Sequence, residues 1–351
     1  MIGAVKRISD RLLGRGTAAL TVPPLDGALR PNNRLEDAPP GIAAQAPDCL
    51  VLKDGRPVWS EGQRLMGEEG EIASARGEIT ALAVSAAGRF AVAAEGAGVT
   101  VDGKAVPALA GLSCVTALAF EGEAALWVAV GSTANPIGAW PKDFLEMRRA
   151  GRVLRYDIAA GALKPVAERL GHPRGLLWTP AGMLVSEAWA KRVIRLDAAG
   201  NAAQLIEDLP GYPAGLAPSA SGGFWLALFA PRSPLIELVL REPAYRRAMM
   251  SEVDPAYWIA PALTSGHSFL EPMQGGALKQ MGVLKPWAPT RSYGLVVELN
   301  ADFTPVQSLH SRAGGRRHGV TSVLDLDGTL WATSKGGDEV LRVNTVPGRQ
   351  Q

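Results

Sequence analysis

The residues of this chain that could do chemistry stand at the starts of short apolar runs. Asp48, Thr80, Thr116, Arg174, Ala214 and Thr321 lead into segments such as CLVL, ALAV, ALAF and GLLW. Asp48 is the carboxylate of this set and Arg174 its cation. A guanidinium carries its donors in a fixed fork that suits a carboxylate, a phosphate or a polarised carbonyl. Buried, it needs an anionic partner, and Asp48 and Glu187 are the expected ones. Glu187, in LVSEA, is alternatively an acid in its own right. His172 precedes Arg174 by two residues, so along a strand both face the same way. His318 stands just ahead of the run VTSVLD. Each histidine is either a base or a hydrogen-bonded structural residue. Tyr212, in PGYP, either turns its hydroxyl inward or closes the turn. Ser186 and Ser322 have no nucleophile elbow and no His or Asp partner in sequence, which argues against a serine-hydrolase triad.

A repeated unit must position these residues. DCLVLKDGRPVWSEG is strand, Asp-Gly turn, strand, and the pattern returns in ITALAVSAAGRFAVAAEG and VTALAFEGEAALWVAVG. It returns again in HPRGLLWTPAGMLVSEA, GYPAGLAPSASGGFWLALF and HGVTSVLDLDGTLWATS. Units of about 40 residues built from short strands and tight turns describe an all-β, six-bladed β-propeller. The innermost strand of each blade then lines a central channel, and the six leading residues converge on its axis. Residues 1–45 read as an N-terminal amphipathic helix and an extended arm, and 46–351 as the propeller. A segment between Thr17 and Asn33 is expected to complete the last blade, because a ring left open would expose a strand edge. Residues 235–290 interrupt blade five with a helical pattern broken by Pro243 and a stretch dense in Trp and Pro. Long insertions on rigid scaffolds gather over functional faces, so this one reads as a lid or rim. Trp258, Phe269 and Trp287 would be its apolar walls around a ligand.

Of the 351 residues 47% are hydrophobic, which is ample for a core, and 40 Gly with 26 Pro fit frequent turns. A net charge of +2 gives no electrostatic footprint for nucleic acid. Cys49 and Cys114 fall in blades one and three, too far apart to bridge, so two reduced thiols and a cytoplasmic location are expected. Residues 1–16 lack a signal-peptide core and are too short to span a bilayer. Their apolar face either docks on the domain or makes a peripheral membrane or protein contact.

The stretches GHPRGLLWTPAGMLVSEAWAKRVIRL and DLPGYPAGLAPSASGGFWLAL, with SYGLVVEL and SLH further on, resemble the strictosidine synthase-like family, from about Asp48 to Val343. That family is a branch of the gluconolactonase and paraoxonase superfamily of six-bladed propellers. Calcium hydrolases of the superfamily hold the metal with Glu, Asn, Asn and Asp at the channel. Here Asp48, Thr116, Arg174 and Ala214 stand at those places. One acid beside a fixed cation is a poor calcium site, so no metal or other cofactor is expected. Strictosidine synthase itself uses a Glu where this chain has Thr321, and a threonine hydroxyl is no general base near neutral pH. Glu187 matches an acid in the family's LVAET, and the family carries a similar helical insertion. The resemblance therefore implies a small-molecule ligand in the channel. Two activities compete: metal-independent ester or lactone hydrolysis with Arg174 stabilising an oxyanion, and noncatalytic binding of a ligand or protein.

Overall fold

The computed structural model describes residues 22–272, 279–280, 283–284 and 290–345. Residues 1–21, and with them the amphipathic stretch, lie outside that set, as does Trp287.

Asp54–Gly55, Asp102–Gly103 and Asp327–Gly328 all have positive φ at both residues. This is the turn whose twist matches that of a two-stranded antiparallel ribbon. Repeated along the chain, such turns fold it into six four-stranded antiparallel sheets. The inner strands are Pro47–Lys53, Ile79–Val84, Val115–Glu121, Pro173–Thr179, Gly211–Pro218 and Val320–Leu326. They touch one another in that cyclic order, the last against the first, which closes a six-bladed propeller. Blade one is therefore flanked by blades two and six and faces blade four across the axis. Second strands are the most deeply buried: Ala125–Val130 and Gly182–Glu187 are buried at every position. Covered on both faces by neighbouring blades, they read as continuous apolar runs.

Blade six closes with Ile42–Ala43, which pairs antiparallel with Val340 and Glu339. The closing strand thus lies downstream of the segment between Thr17 and Asn33, and its described part, from residue 22 on, holds one short 3-10 turn and no strand. The arm before the closing strand is clamped by Arg317. Its guanidinium donates to the carbonyls of Leu35, Ala38 and Pro39 and pairs with Glu339.

Two loops enlarge the face at which the inner strands begin, each joining the second and third strands of its blade. In blade three the loop carries the helix Trp140–Glu146. In blade five it carries Pro234–Arg241 and Pro243–Glu252, the first capped by Ser233, the second opened by Pro243. Ile236, Val239 and Leu240 are buried, while Leu235 and Leu238 are exposed. That buried stripe joins one core with Phe144, Leu145, Tyr212 and Phe229.

Candidate functional site

Every inner strand changes register against its neighbour close to its start. The residues skipped are Asp48 with Cys49, Thr80, Thr116, Arg174, Ala214 with Gly215, and Thr321. A bulge turns the side chain away from the regular alternation and re-aims it. The approach is also fixed: Ala46, Cys114, His172 and Gly319, directly before four of these strands, have φ of 46°, 53°, 57° and 64°. The left-handed region costs a residue with a Cβ about 1–2 kcal/mol, so the ring is held at some expense. Five of the six leading residues of the sequence reading, Asp48, Thr80, Thr116, Arg174 and Thr321, come together around the channel, while Ala214 does not line it.

Hydroxyls stitch the ring between blades. Thr116 Oγ1 donates to Pro173 O at 2.5 Å, Ser186 Oγ to Ala214 O at 2.6 Å, and Thr321 Oγ1 to Asp48 O at 2.9 Å. Thr116, Thr321 and Ser186 thus have structural partners. Thr80 Oγ1 is buried without one.

Arg174 Nη2 lies 3.5 Å from Asp48 Oδ1. Since blades one and four face each other, this pair spans the channel. Asp48 has a closer partner in Lys335, whose Nζ is 2.7 Å from Oδ2 and 3.5 Å from Glu78. Burial alone would raise the Asp48 carboxyl, but Lys335 and then Arg174 outweigh it and hold it at about 2. Arg174 also stacks over Phe229, 5.2 Å from the ring centre, and its Nε has no partner. Lys335 was not among the residues expected from sequence. It follows the second strand of blade six in TSKGG, and nothing local in the chain links it to Asp48.

A cavity of about 520 Å³ runs from this ring along the inner strands to the turns that end them. Asp48, Thr80, Thr116, Arg174 and Thr321 line one end, with Ile137 from the blade-three loop. Leu52, Val84, Phe120, Trp178, Pro218 and Leu324 line the other.

The remaining expected site residues fall elsewhere. Glu187 is fully buried but does not meet Arg174. It pairs with Arg192 at 2.6 Å and Arg149 at 3.1 Å and accepts from Gly171 N at 2.7 Å, so its lone pairs are taken. It lies on a second strand, one layer out from the channel. His318 is buried between Ser292 Oγ, 2.7 Å from Nδ1, and Arg312 O, 2.8 Å from Nε2. It does not reach the cavity. His172 is buried and stacked on Trp189 at 4.5 Å. Its Nδ1 is 3.6 Å from Asp143 Oδ2, beyond bonding distance, and neither ring nitrogen has a hydrogen-bond partner. Burial pushes its pKa below the ordinary value against the pull of Asp143. Asp143 accepts from Ser132, Asn135 and Trp189. Burial would raise it, yet His172 and these donors hold it at about 2.

Tyr212 is fully buried, with Phe144, Trp189 and Phe229 within 5.3–6.2 Å ring to ring, and its hydroxyl is unpartnered. Burial pushes the phenol well above its usual range. Trp258 is buried in the same core and donates to Val253 O, so it is no wall of the cavity. Phe269 is 87% exposed. No described residue of 235–290 lines the cavity. The described helices of the insertion pack beside the aromatic group, and among the described residues the blade-three loop reaches the channel with Ile137. Both cysteines are free thiols, each pushed up to about 12 by burial.

Among the described residues, no three His, Cys, Asp or Glu side chains cluster as metal ligands would. At the ring, one carboxylate already shared by an ammonium and a guanidinium does not fit a divalent cation, which needs several oxygens and excess negative charge. Among the described residues no helix is long and apolar enough to cross a membrane.

No protein-family model matches the chain, and no curated protein does. Many solved structures match the chain, two of them over most of its length. One is a gluconolactonase candidate, 13% identical, with TM-score 0.50 over 87% of this chain and 90% of that one. The other is a gluconolactonase from Xanthomonas campestris, 15% identical, with TM-score 0.51 over 90% of this chain and 92% of that one. At such identity the likeness is one of fold, and by fold this chain is a six-bladed β-propeller.

Proposed function

We propose that the chain binds a small molecule in its central channel, through a carboxylate or polarised carbonyl held by Arg174. One observation carries this reading: Arg174 and Thr80, both lining the cavity, keep buried polar atoms without partners. A buried donor left unmade costs about 1–3 kcal/mol, and such groups in a cavity point to a ligand or water. Lys335 adds positive charge beside them. The sequence motifs that resemble the strictosidine synthase-like family support the reading, since that family uses this channel for small molecules.

Metal-independent ester or lactone hydrolysis is the second reading, favoured by the fold shared with two gluconolactonases. Arg174 would stabilise the oxyanion. Asp48, held at about 2, is a weak general base, so turnover is expected to be slow and binding to dominate. A propeller that binds a ligand or protein without catalysis fits the same site. The free thiols support a reducing, cytoplasmic setting. Peripheral contact through residues 1–16 is a separate proposal, tested by liposome flotation.

The deciding experiment is calorimetry with a panel of lactones, aryl esters and hydroxy acids on wild type and Arg174→Ala, with calcium and with chelator. Binding that vanishes in Arg174→Ala and ignores chelation is the expected result. Equal binding by the variant overturns the reading.

A further inference from the structure

We infer that the anchoring group is a carboxylate, and that it binds by taking Arg174 from Asp48. This deepens the channel reading above and rests on it.

The two cations on Asp48 are unequally placed. Lys335 is at 2.7 Å, within the range of a close charge-assisted bond, whereas Arg174 is at 3.5 Å, well outside it. The contact that spans the channel is therefore the looser one. Pulling a guanidinium from a buried carboxylate is costly when the carboxylate is left alone. Here Lys335 stays, so Asp48 keeps its compensation. Arg174 likewise keeps the face of Phe229. The guanidinium then needs a replacement anion, and it holds a spare donor for one: Nε is buried without a partner. A carboxylate can take Nε and one Nη together, the two-pronged geometry that Asp48 does not make.

A neutral ester, amide or lactone carbonyl accepts a hydrogen bond but brings no charge. It cannot repay the loss of Asp48, so the site selects acids over their neutral derivatives. The exchange also has a steric consequence. Because the pair joins opposite blades, releasing it removes a bar from the axis. Lys335 is a positioning residue in this scheme: it acts on the ligand only by holding Asp48.

The Arg174 Nε–H resonance of the full-length protein reads this exchange directly. It is assigned by its disappearance in Arg174→Lys and titrated with sodium acetate or with acetamide at constant ionic strength. Acetate should shift it saturably and acetamide should not. Asp48→Asn, which removes the competitor, should lower the acetate half-saturation roughly tenfold, about one step of 1.4 kcal/mol. Lys335→Met should raise it by a similar factor, since Asp48 then has Arg174 alone. If acetamide shifts the resonance as acetate does, or Asp48→Asn leaves the half-saturation unchanged, carboxylate exchange is wrong and the broader channel reading stands. If neither compound moves it in wild type, both fail. Should Asp48→Asn not fold, the acetate and acetamide titrations of wild type still decide.

Discussion

The short loop of blade three and the long insertion of blade five sit on the same face, yet the short one reaches the channel. Ile137 lines the cavity, while Trp140 and Phe144 pack on Trp189, Phe229 and Tyr212. The insertion adds Ile236, Val239, Met249 and Trp258 to the same core as that aromatic group. Its described residues buttress the short loop, and none of them lines the channel. Length and aromatic content mark a loop that must bury something. They do not say whether the buried surface faces a ligand or the loop's own support.

The largest test of this difference is mechanical. Phe144→Ala removes a ring at the junction of both loops and should cost about 3–5 kcal/mol in urea unfolding. Phe269→Ser, on the exposed stretch of the insertion, should stay within about 0.5 kcal/mol. A loss above about 2 kcal/mol for Phe269→Ser would mean that the insertion carries more of the fold than its packing indicates.

Acid separates the two loops next. The blade-three loop is anchored by Asp143, whose folded pKa of about 2 lies below its ordinary 3.8. A depressed carboxyl stabilises above its unfolded pKa, and that share is lost as pH falls from about 4 to 2, about 2 kcal/mol here. Asp48 adds a similar loss over the same window. Buried histidine gives an earlier stage. His310, held at about 4, refuses a proton that the unfolded chain accepts below 6.5, so stability falls by about 3 kcal/mol between those values. Unfolding free energies from pH 7 to 2 should show both stages. His310→Gln should shrink the first stage, to which buried His172 and His318 also contribute, and Asp143→Asn should shrink the second while lowering stability at pH 7.

Much of the scaffold was legible because its signals are local. Asp-Gly turns fix where strands begin, and the start of each inner strand fixes which residue meets the axis. Partnerships were less legible because they are set between blades. Asp48 and Lys335 are joined only when the last blade closes beside the first. Glu187 is the instructive miss. In the hairpin its ladder partner is Arg192, directly opposite, and that nearby cation competes better than Arg174 on the inner strand. The spacing of LVSEAWAKR already contained that pairing. The closing strand, Ile42–Ala43, is too short to show any alternation. For Trp258, burial in a core and burial against a ligand demand the same residue type, so sequence could not separate them.

The smallest effect is the most direct probe of which loop guards the channel. Cys49 lines the cavity near Asp48, whereas Cys114 is buried behind the ring and does not. Burial pushes both thiols up to about 12, so the change in each rate on substitution, rather than the rate itself, reports access. Iodoacetamide at mildly alkaline pH, followed by peptide mass spectrometry, should modify Cys49 faster than Cys114. Ile137→Ala opens the head of the channel and should speed Cys49 a few-fold with Cys114 unchanged. Trp258→Phe loosens packing outside the channel and should leave the ratio of the two rates where it was. Acceleration of Cys49 alone by Trp258→Phe would put the insertion over the channel after all. Equal acceleration of both thiols would report only general loosening, so the ratio decides.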